Sequence, residues 1–291
     1  MEPGYGLSQG IMFSQEAFAD AAYAILTHNG TTVRVERHDW TVMGGKYVLY
    51  YDEIASTQMG DAVTADFYDA DGNLLNVQGE ISVNVRDQAI SILESDAPEE
   101  KKRMYMDLLN YGAAAQAHFG YNSDNLVNAG LDAYQIYATQ DVELADYREK
   151  GTGYSATTLE MESQFTLNLL FSKKTVDKSM RAVITITDAE GLYFKTYEIN
   201  GSDFKSHTNN RWRIGITNLA PEDYDDLITC EIYSGDTLVS SVTDSVGSYL
   251  SRAINGGGGA VYEMALRYCQ SVKKTLRVPI GGLVPVGMIQ E

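Results

Sequence analysis

The fold turns on two stretches that lie on one another without a gap, "KYVLYYDEIASTQMGDAVTADFY" (46–68) and "RWRIGITNLAPEDYDDLITCEIY" (211–233). Lys46 falls on Arg211, Tyr47 on Trp212, Ala55 on Ala220, Asp61 on Asp226, Thr64 on Thr229 and Tyr68 on Tyr233. Few residues are identical, but the apolar alternation persists from end to end. In the first stretch Val63, Ala65 and Phe67 share one face of a strand; in the second Ile228, Cys230 and Ile232 take that face. A period of two kept twice predicts half-buried antiparallel strands and one unit present in two copies.

The correspondence extends in both directions. "IMFSQE" (11–16) resembles "LLFSKK" (169–174), and "AYAILTHNG" (22–30) falls near "AVITITDAEG" (182–191). "VRDQAISIL" (85–93) matches "VGSYLSRAI" (246–254), and "YMDLLNYGAAAQ" (105–116) lies on "YEMALRYCQSVK" (262–273). The repeat also decides a local ambiguity. Residues 16–26 look helical by propensity, but the partner of their second part alternates β-branched residues, so 21–27 is read as a strand. Turns are expected at "HNG" (28–30), "MGG" (43–45) and "DADGN" (69–73).

Each unit ends in a pair of helices. "SDAPEE" (95–100) offers Asp96 as N-cap with Glu99 three residues on, a capping box with Pro98 tolerated in the first turn. Along the next helix Met104, Leu108, Tyr111 and Ala115 form one stripe, and Tyr105, Leu109 and Gly112 the adjacent one. An apolar face that wide predicts a helix more than half buried. Gly112 costs about 1 kcal/mol relative to alanine inside a helix, which makes sense where another backbone comes close. Its counterpart is Cys269, and Tyr111 recurs as Tyr268, whereas Gln116 becomes Lys273 and His118 becomes Thr275. The residues that recur lie on the buried stripes.

Bulk properties narrow the partners. The chain has 291 residues, 44% of them hydrophobic and 21% charged, enough for sizeable cores. A net charge of −18 repels nucleic acid and anionic membranes and suits cations or basic partners. No stretch reaches the roughly 20 apolar residues of a membrane span. The start, "MEPGYGLSQG", is no signal peptide, so either the protein is intracellular or its signal has been removed. Two cysteines, Cys230 and Cys269, are too few for a disulfide scaffold.

"LLNYGAAAQAHFGYNSDNLVNAGL" (108–131) resembles a motif of uncharacterised secreted tandem-repeat proteins of anaerobic Gram-positive gut bacteria. There a strand-rich unit ends in a V-x-D-Y/Q-A helix followed by a Y-G-A-A-A-Q-x-x-F-x-Y helix. The matching positions are Val85, Asp87 and Ala89, then Tyr111, Gly112, Ala113 to Ala115, Gln116, Phe119 and Tyr121. The second unit departs from it, with Cys269-Gln270-Ser271 in place of Gly-Ala-Ala. The resemblance implies an accessory part of an extracellular or cell-surface protein, sometimes attached to carbohydrate-active or anchoring modules, with no assigned catalysis.

Candidate sites are few. His28, His38, His118 and His207 are scattered, and no H-E-x-x-H, C-x-x-C or Cys/His cluster suggests zinc. "RHDW" (37–40) reads as a weak site around His38 or as a loop with a solvated His–Asp contact. No G-x-S-x-G elbow is present. Cys230 and Cys269 align with Ala65 and Gly112, and read as buried small hydrophobes rather than nucleophiles. "DADGN" has the alternating oxygens of a calcium loop but lacks the downstream glutamate, so a hairpin turn is the better reading. Tyr47, Leu49 and Tyr51 alternate inward, which leaves Tyr50 outward opposite Gly215 in the copy. Trp40 has no clear partner in the second unit and is the best candidate for an exposed ligand-facing aromatic, against a core or loop role.

The expected fold is therefore α+β: two tandem β-rich units, sandwich-like with Ig-like tendencies, each followed by a helical hairpin. The first spans 1–130 and the second 157–291, with a polar linker at 131–156. The apolar, Gly- and Pro-rich end, 277–291, is expected to pack back onto a unit. No catalytic residue, metal or cofactor is expected. The leading function is a non-catalytic extracellular or cell-surface structural or interaction module with a protein or glycan partner. A carbohydrate-binding module and a hydrolase with a site outside known motifs are the alternatives.

Overall fold

The computed structural model describes residues 7–76, 81–145, 147–162 and 164–276. It is an α+β protein in which every strand pairing among the described residues is antiparallel. The first half contains β1 (Gln9–Ser14), β2 (Tyr23–His28), β3 (Thr31–Glu36), β4 (Thr41–Met43), β5 (Lys46–Tyr51), β6 (Val63–Tyr68) and β7 (Ile81–Val83). They form sheets ordered β1-β5-β4 and β3-β2-β6-β7. Helices α1 (Val85–Glu94) and α2 (Glu99–Phe119) follow.

The second half adds β8 (Glu149–Lys150) and β9 (Tyr154–Met161), then runs through β10 (Phe165–Ser172), β11 (Arg181–Thr187), β12 (Phe194–Asn200), β13 (Lys205–His207), β14 (Arg211–Leu219), β15 (Leu227–Ser234) and β16 (Thr237–Asp244). Its sheets are ordered β13-β14-β10-β9 and β12-β11-β15-β16-β8. Helices α3 (Val246–Asn255) and α4 (Ala260–Leu276) close it. Without β8 and β9, both strand orders are those of the first half.

Local geometry recurs as well. Ile11 pairs with Leu49 and Phe13 with Tyr47; Leu169 pairs with Ile214 and Phe171 with Trp212. Gly44 and Gly45 have φ of 57° and 75°; Asn209 and Asn210, at the equivalent positions, have 56° and 57°. Glycine and asparagine are the two residues that best tolerate this left-handed pair, so both sequences suit the same turn. Arg86 N–H donates to Met59 O at 2.9 Å, and Gly247 N–H to Tyr224 O at 2.6 Å. Asn84 and Ser245 cap α1 and α3 with near-identical backbone angles, each accepting the N–H three residues on.

The expected strand residues are where the alternation puts them. Val63, Ala65 and Phe67 are buried, as are Ile228, Cys230 and Ile232. "HNG" is a two-residue hairpin turn, with His28 paired to Thr31 and φ of 47° at Asn29 and 79° at Gly30. "DADGN" is a turn closed on itself: Asp69 Oδ1 accepts the N–H of Asp71 at 2.9 Å and of Asn73 at 2.8 Å. Those bonds and the Asn73 amide hold its carboxyl below the usual range.

Two expectations are corrected. Asp96 does not cap α2: Pro98 occupies the N-cap, makes no side-chain hydrogen bond there, and the helix begins at Glu99. Proline fixes φ near the value a cap needs, so the N-cap lies two positions beyond Asp96 and no capping box forms. Residues 131–156 are not a plain linker. Asp132–Tyr137 form a 3-10 turn against α2, β8 pairs with β16, and β9 begins at Tyr154. This stretch shows no period because side chains from the helices satisfy its backbone. Gln270 Oε1 accepts from Glu143 N–H at 3.2 Å, Ser251 Oγ from Ala145 N–H at 3.1 Å and Ser248 Oγ from Tyr147 N–H at 2.9 Å. These three polar residues are buried on the helices for that reason. The expectation for 277–291 lies outside the described residues.

Asp107 belongs to the same clamp. It is buried on α2; Oδ1 accepts Thr139 N–H at 2.9 Å and Oδ2 the Thr139 hydroxyl at 2.6 Å. Burial outweighs these bonds and pushes its carboxyl up. The folded chain thus holds this proton more tightly than the unfolded chain. The contribution to stability is full below the ordinary carboxylate range and is lost as pH rises through the raised folded value. Asp107→Asn keeps the shape and removes the titration. The variant's melting temperature minus that of the wild type is expected to rise as pH climbs above the ordinary carboxylate range. A difference independent of pH in thermal melts overturns this account.

Candidate functional site

One hydrophobic core runs through both halves, and α2 packs along α4 at the seam. Tyr111 and Tyr268 meet there, their rings stacked at 6.0 Å and 13°. Burial raises both phenols, so both stay neutral. Gly112 lies one residue on. A Cβ at that position would sit 2.7 Å from Met59 Sδ, 2.9 Å from Val127 Cγ1 and 3.2 Å from the Ser56 carbonyl oxygen. The close backbone expected at this glycine is the single 3-10 turn Ser56–Gln58. Cys269 occupies the same slot against the turn Pro221–Asp223, fully buried.

Gln116 and Tyr121 of the "LLNYGAAAQAHFGY" stretch are engaged internally. Gln116 Oε1 accepts Val127 N–H at 2.7 Å in the interior. Tyr121 donates its hydroxyl to Asp61 Oδ2, which also accepts from Asn29 Nδ2 at 2.8 Å. His118 is exposed. The stretch is a packing device, with Gly112, Gln116 and Tyr121 each fixing one neighbouring loop.

Beside the Tyr111–Tyr268 stack the two halves leave a cleft of about 390 Å³. The first half contributes Gln9 from β1, Gln88 from α1 and Tyr105 from α2. The second contributes Phe165, Glu162 and Glu222, with Val272 and Leu276 from α4. Its walls are aromatic and aliphatic with acceptors between them, and among the described residues no lysine, arginine or histidine lines it. Gln9 is fully buried, its Nε2 donates to Gly10 O at 3.0 Å, and its Oε1 has no partner. A second hollow of about 540 Å³ lies on the other side of α2. Its amides are spent on one another: Asn110 donates to Gln135 at 3.0 Å, and Asn128 donates to Asn110 at 2.9 Å.

The residues singled out from sequence do not gather in the cleft, apart from Tyr111 and Tyr268. Trp40 is not an exposed platform. It is 6% exposed, packed edge-on against Phe13, Tyr47 and Phe67, and its Nε1 donates to Val35 O at 3.3 Å. It fills a gap between the two sheets of the first half, a role the repeat alignment could not supply. His38 is exposed on a single 3-10 turn, 3.6 Å from Asp39. Tyr50 points outward at 38% exposure, and its ring lies 3.4 Å from where a Cβ of Gly10 would stand. The equivalent pair in the second half is Asn168 and Gly215, and a Cβ on Gly215 would meet Asn168 Oδ1 at 2.9 Å. Large and small residues have changed places across the strand pair, which is the behaviour of packing.

Cys230 and Cys269 are free thiols, buried and pushed up by that burial, and are not thiolate nucleophiles in this state. Among the described residues no group of three or more His, Cys, Asp or Glu could hold a metal ion. Among them, too, no helix is long and apolar enough to cross a membrane. Glu162, Glu222 and Gln9 carried no signal in the sequence: two glutamates among forty acidic residues, and one glutamine in a strand.

No family model matches the sequence, and no curated protein matches it.

Proposed function

We propose that the chain is two copies of one unit, each a pair of packed sheets closed by a helical hairpin, and that it serves as a non-catalytic interaction module. The recurring strand order, the paired left-handed turns and the equivalent helix caps support the duplication. The observation that carries the function is the division of labour. The motif's polar groups are consumed in packing, while the seam between the copies leaves a cleft neither copy could form alone. Clefts at such junctions are where folds of this kind place ligands. The burial of Trp40 weighs against a sugar-stacking surface. An extracellular or cell-surface location follows from the motif resemblance alone.

The test combines binding with turnover. A fragment and oligosaccharide library is screened against the isotope-labelled full chain by NMR, alongside a panel of glycoside, ester and peptide substrates. Shifts centred on Tyr105, Phe165 and Tyr268, with no turnover, are the expected result. Turnover abolished by Glu162→Gln or Glu222→Gln overturns the non-catalytic reading, and silence at all three rings overturns the binding one.

A further inference from the structure

We propose that the cleft between the halves binds an organic cation, a primary ammonium group carried on an apolar body. The inference rests on the interaction reading above and assigns its ligand class. Three observations carry it.

First, the charged groups on the cleft are of one sign. Glu162 and Glu222 stand at it, and no lysine, arginine or histidine lines it among the described residues. The chain as a whole carries −18, which repels anionic ligands and raises the local concentration of cations. A neutral ligand would gain nothing from that arrangement.

Second, the walls suit the rest of such a molecule. Tyr105, Phe165 and Tyr268 supply ring surface, with aliphatic side chains between them. Aromatic rings attract an ammonium through their quadrupoles and accept its hydrocarbon part by burial. Glu222 lies near enough to Tyr268 to add to the effect of burial in raising its phenol, so carboxylate and ring act on the same corner. About 390 Å³ accommodates a small molecule or one long side chain.

Third, Gln9, one of the residues lining the cleft, has a buried side-chain carbonyl oxygen that nothing in the protein satisfies. A buried amide oxygen left without a donor costs about 1–3 kcal/mol, and such atoms are rare in native proteins. The other end of the amide is engaged, Nε2 donating to Gly10 O. An ammonium brings three donors and no acceptor, which complements one unpartnered carbonyl oxygen and two carboxylates.

Such a cation has two sources, a free amine or the lysine side chain of a peptide, and the chemistry is the same for both. Titration calorimetry on the full chain separates them with three probes: 4-phenylbutylamine, its neutral counterpart 4-phenylbutanol, and Nα-acetyl-lysine methylamide. The amine is expected to bind at least about tenfold tighter than the alcohol, the ratio set by one charge-assisted contact. Tighter binding of the lysine derivative than of the phenylbutylamine assigns a peptide source, and the reverse order a free amine. Glu222→Gln is expected to remove most of the amine's advantage and leave alcohol binding unchanged. Gln9→Leu is expected to weaken the amine severalfold, with a thermal melt confirming that the variant folds; should it not fold, Glu222→Gln decides alone. Equal affinity for amine and alcohol overturns the cation and leaves the interaction reading standing. No heat from any probe overturns the proposal as well, and the NMR screen then decides whether the cleft binds anything.

Discussion

A leucine at position 112 is expected to lower the melting temperature by about 6–12 °C, while His118→Ala, six residues along the same helix, leaves it nearly unchanged. The difference lies in what each side chain meets. Even a Cβ at 112 would stand 2.7 Å from Met59 Sδ, 2.9 Å from Val127 Cγ1 and 3.2 Å from Ser56 O. The methionine can rotate away, since its unbranched thioether is adaptable. The branched Val127 cannot easily move, because its own N–H is held by Gln116. The Ser56 carbonyl is fixed too: Ser56 donates its N–H to Glu162 O at 3.1 Å and its hydroxyl to Met161 O at 2.9 Å. Three further carbons therefore have nowhere to go. Overpacking of this kind costs about 1–3 kcal/mol, and backbone contact places it at the upper end. For a chain of this size each kcal/mol corresponds to about 2–4 °C. His118 is exposed, and exposed substitutions stay within about 0.5 kcal/mol. Differential scanning calorimetry of the two variants decides; equal shifts would show that this helix is not a packing device.

That contrast also marks what the sequence discloses. Alternation was legible because it repeats: a strand face read once is ambiguous, but Val63-Ala65-Phe67 over Ile228-Cys230-Ile232 is not. The same comparison separated Tyr111, which recurs, from His118, which does not. Strand β2 was recovered from its partner against its own helix propensity. The comparison fails wherever the halves differ. Trp40 had no counterpart and so looked available, although an aromatic cluster between two sheets is the commonest destination of such a residue. Residues 131–156 looked like a tether because their hydrogen bonds run to side chains more than a hundred positions away, and no local period records that. The cleft was illegible for a related reason. Gln9, Tyr105, Glu162 and Glu222 come from four separate segments, and only the packing of α2 on α4 brings them to one place.

The largest single loss of stability is expected at a site peculiar to the second half. Asp244, at the end of β16, is completely buried. Arg252 Nη2, on α3, donates to both of its oxygens, at 2.9 and 2.7 Å. Thr157 on β9 donates to Oδ2 at 2.7 Å, and the N–H of Ser245 to Oδ1 at 2.9 Å. One carboxylate thus ties β9, a strand with no equivalent among the described residues of the first half, to the start of the helix pair. At the aligned positions the first half has Val83 and Ser91, so neither member of the pair stands there. Removing one member of a buried ion pair costs about 3–5 kcal/mol, and here Arg252 loses both of its hydrogen bonds to Asp244. Asp244→Ala is expected to fall in that range by urea denaturation, and the Thr157 hydroxyl and Ser245 N–H lose their acceptor as well. The double variant Asp244→Val with Arg252→Ser, which restores the pattern of the first half, is expected to recover part of the loss, since it strands no charge. A cost below about 1 kcal/mol for Asp244→Ala, the worth of an exposed pair, would mean that water reaches the carboxylate and that β9 is held by its ladder to β10 alone.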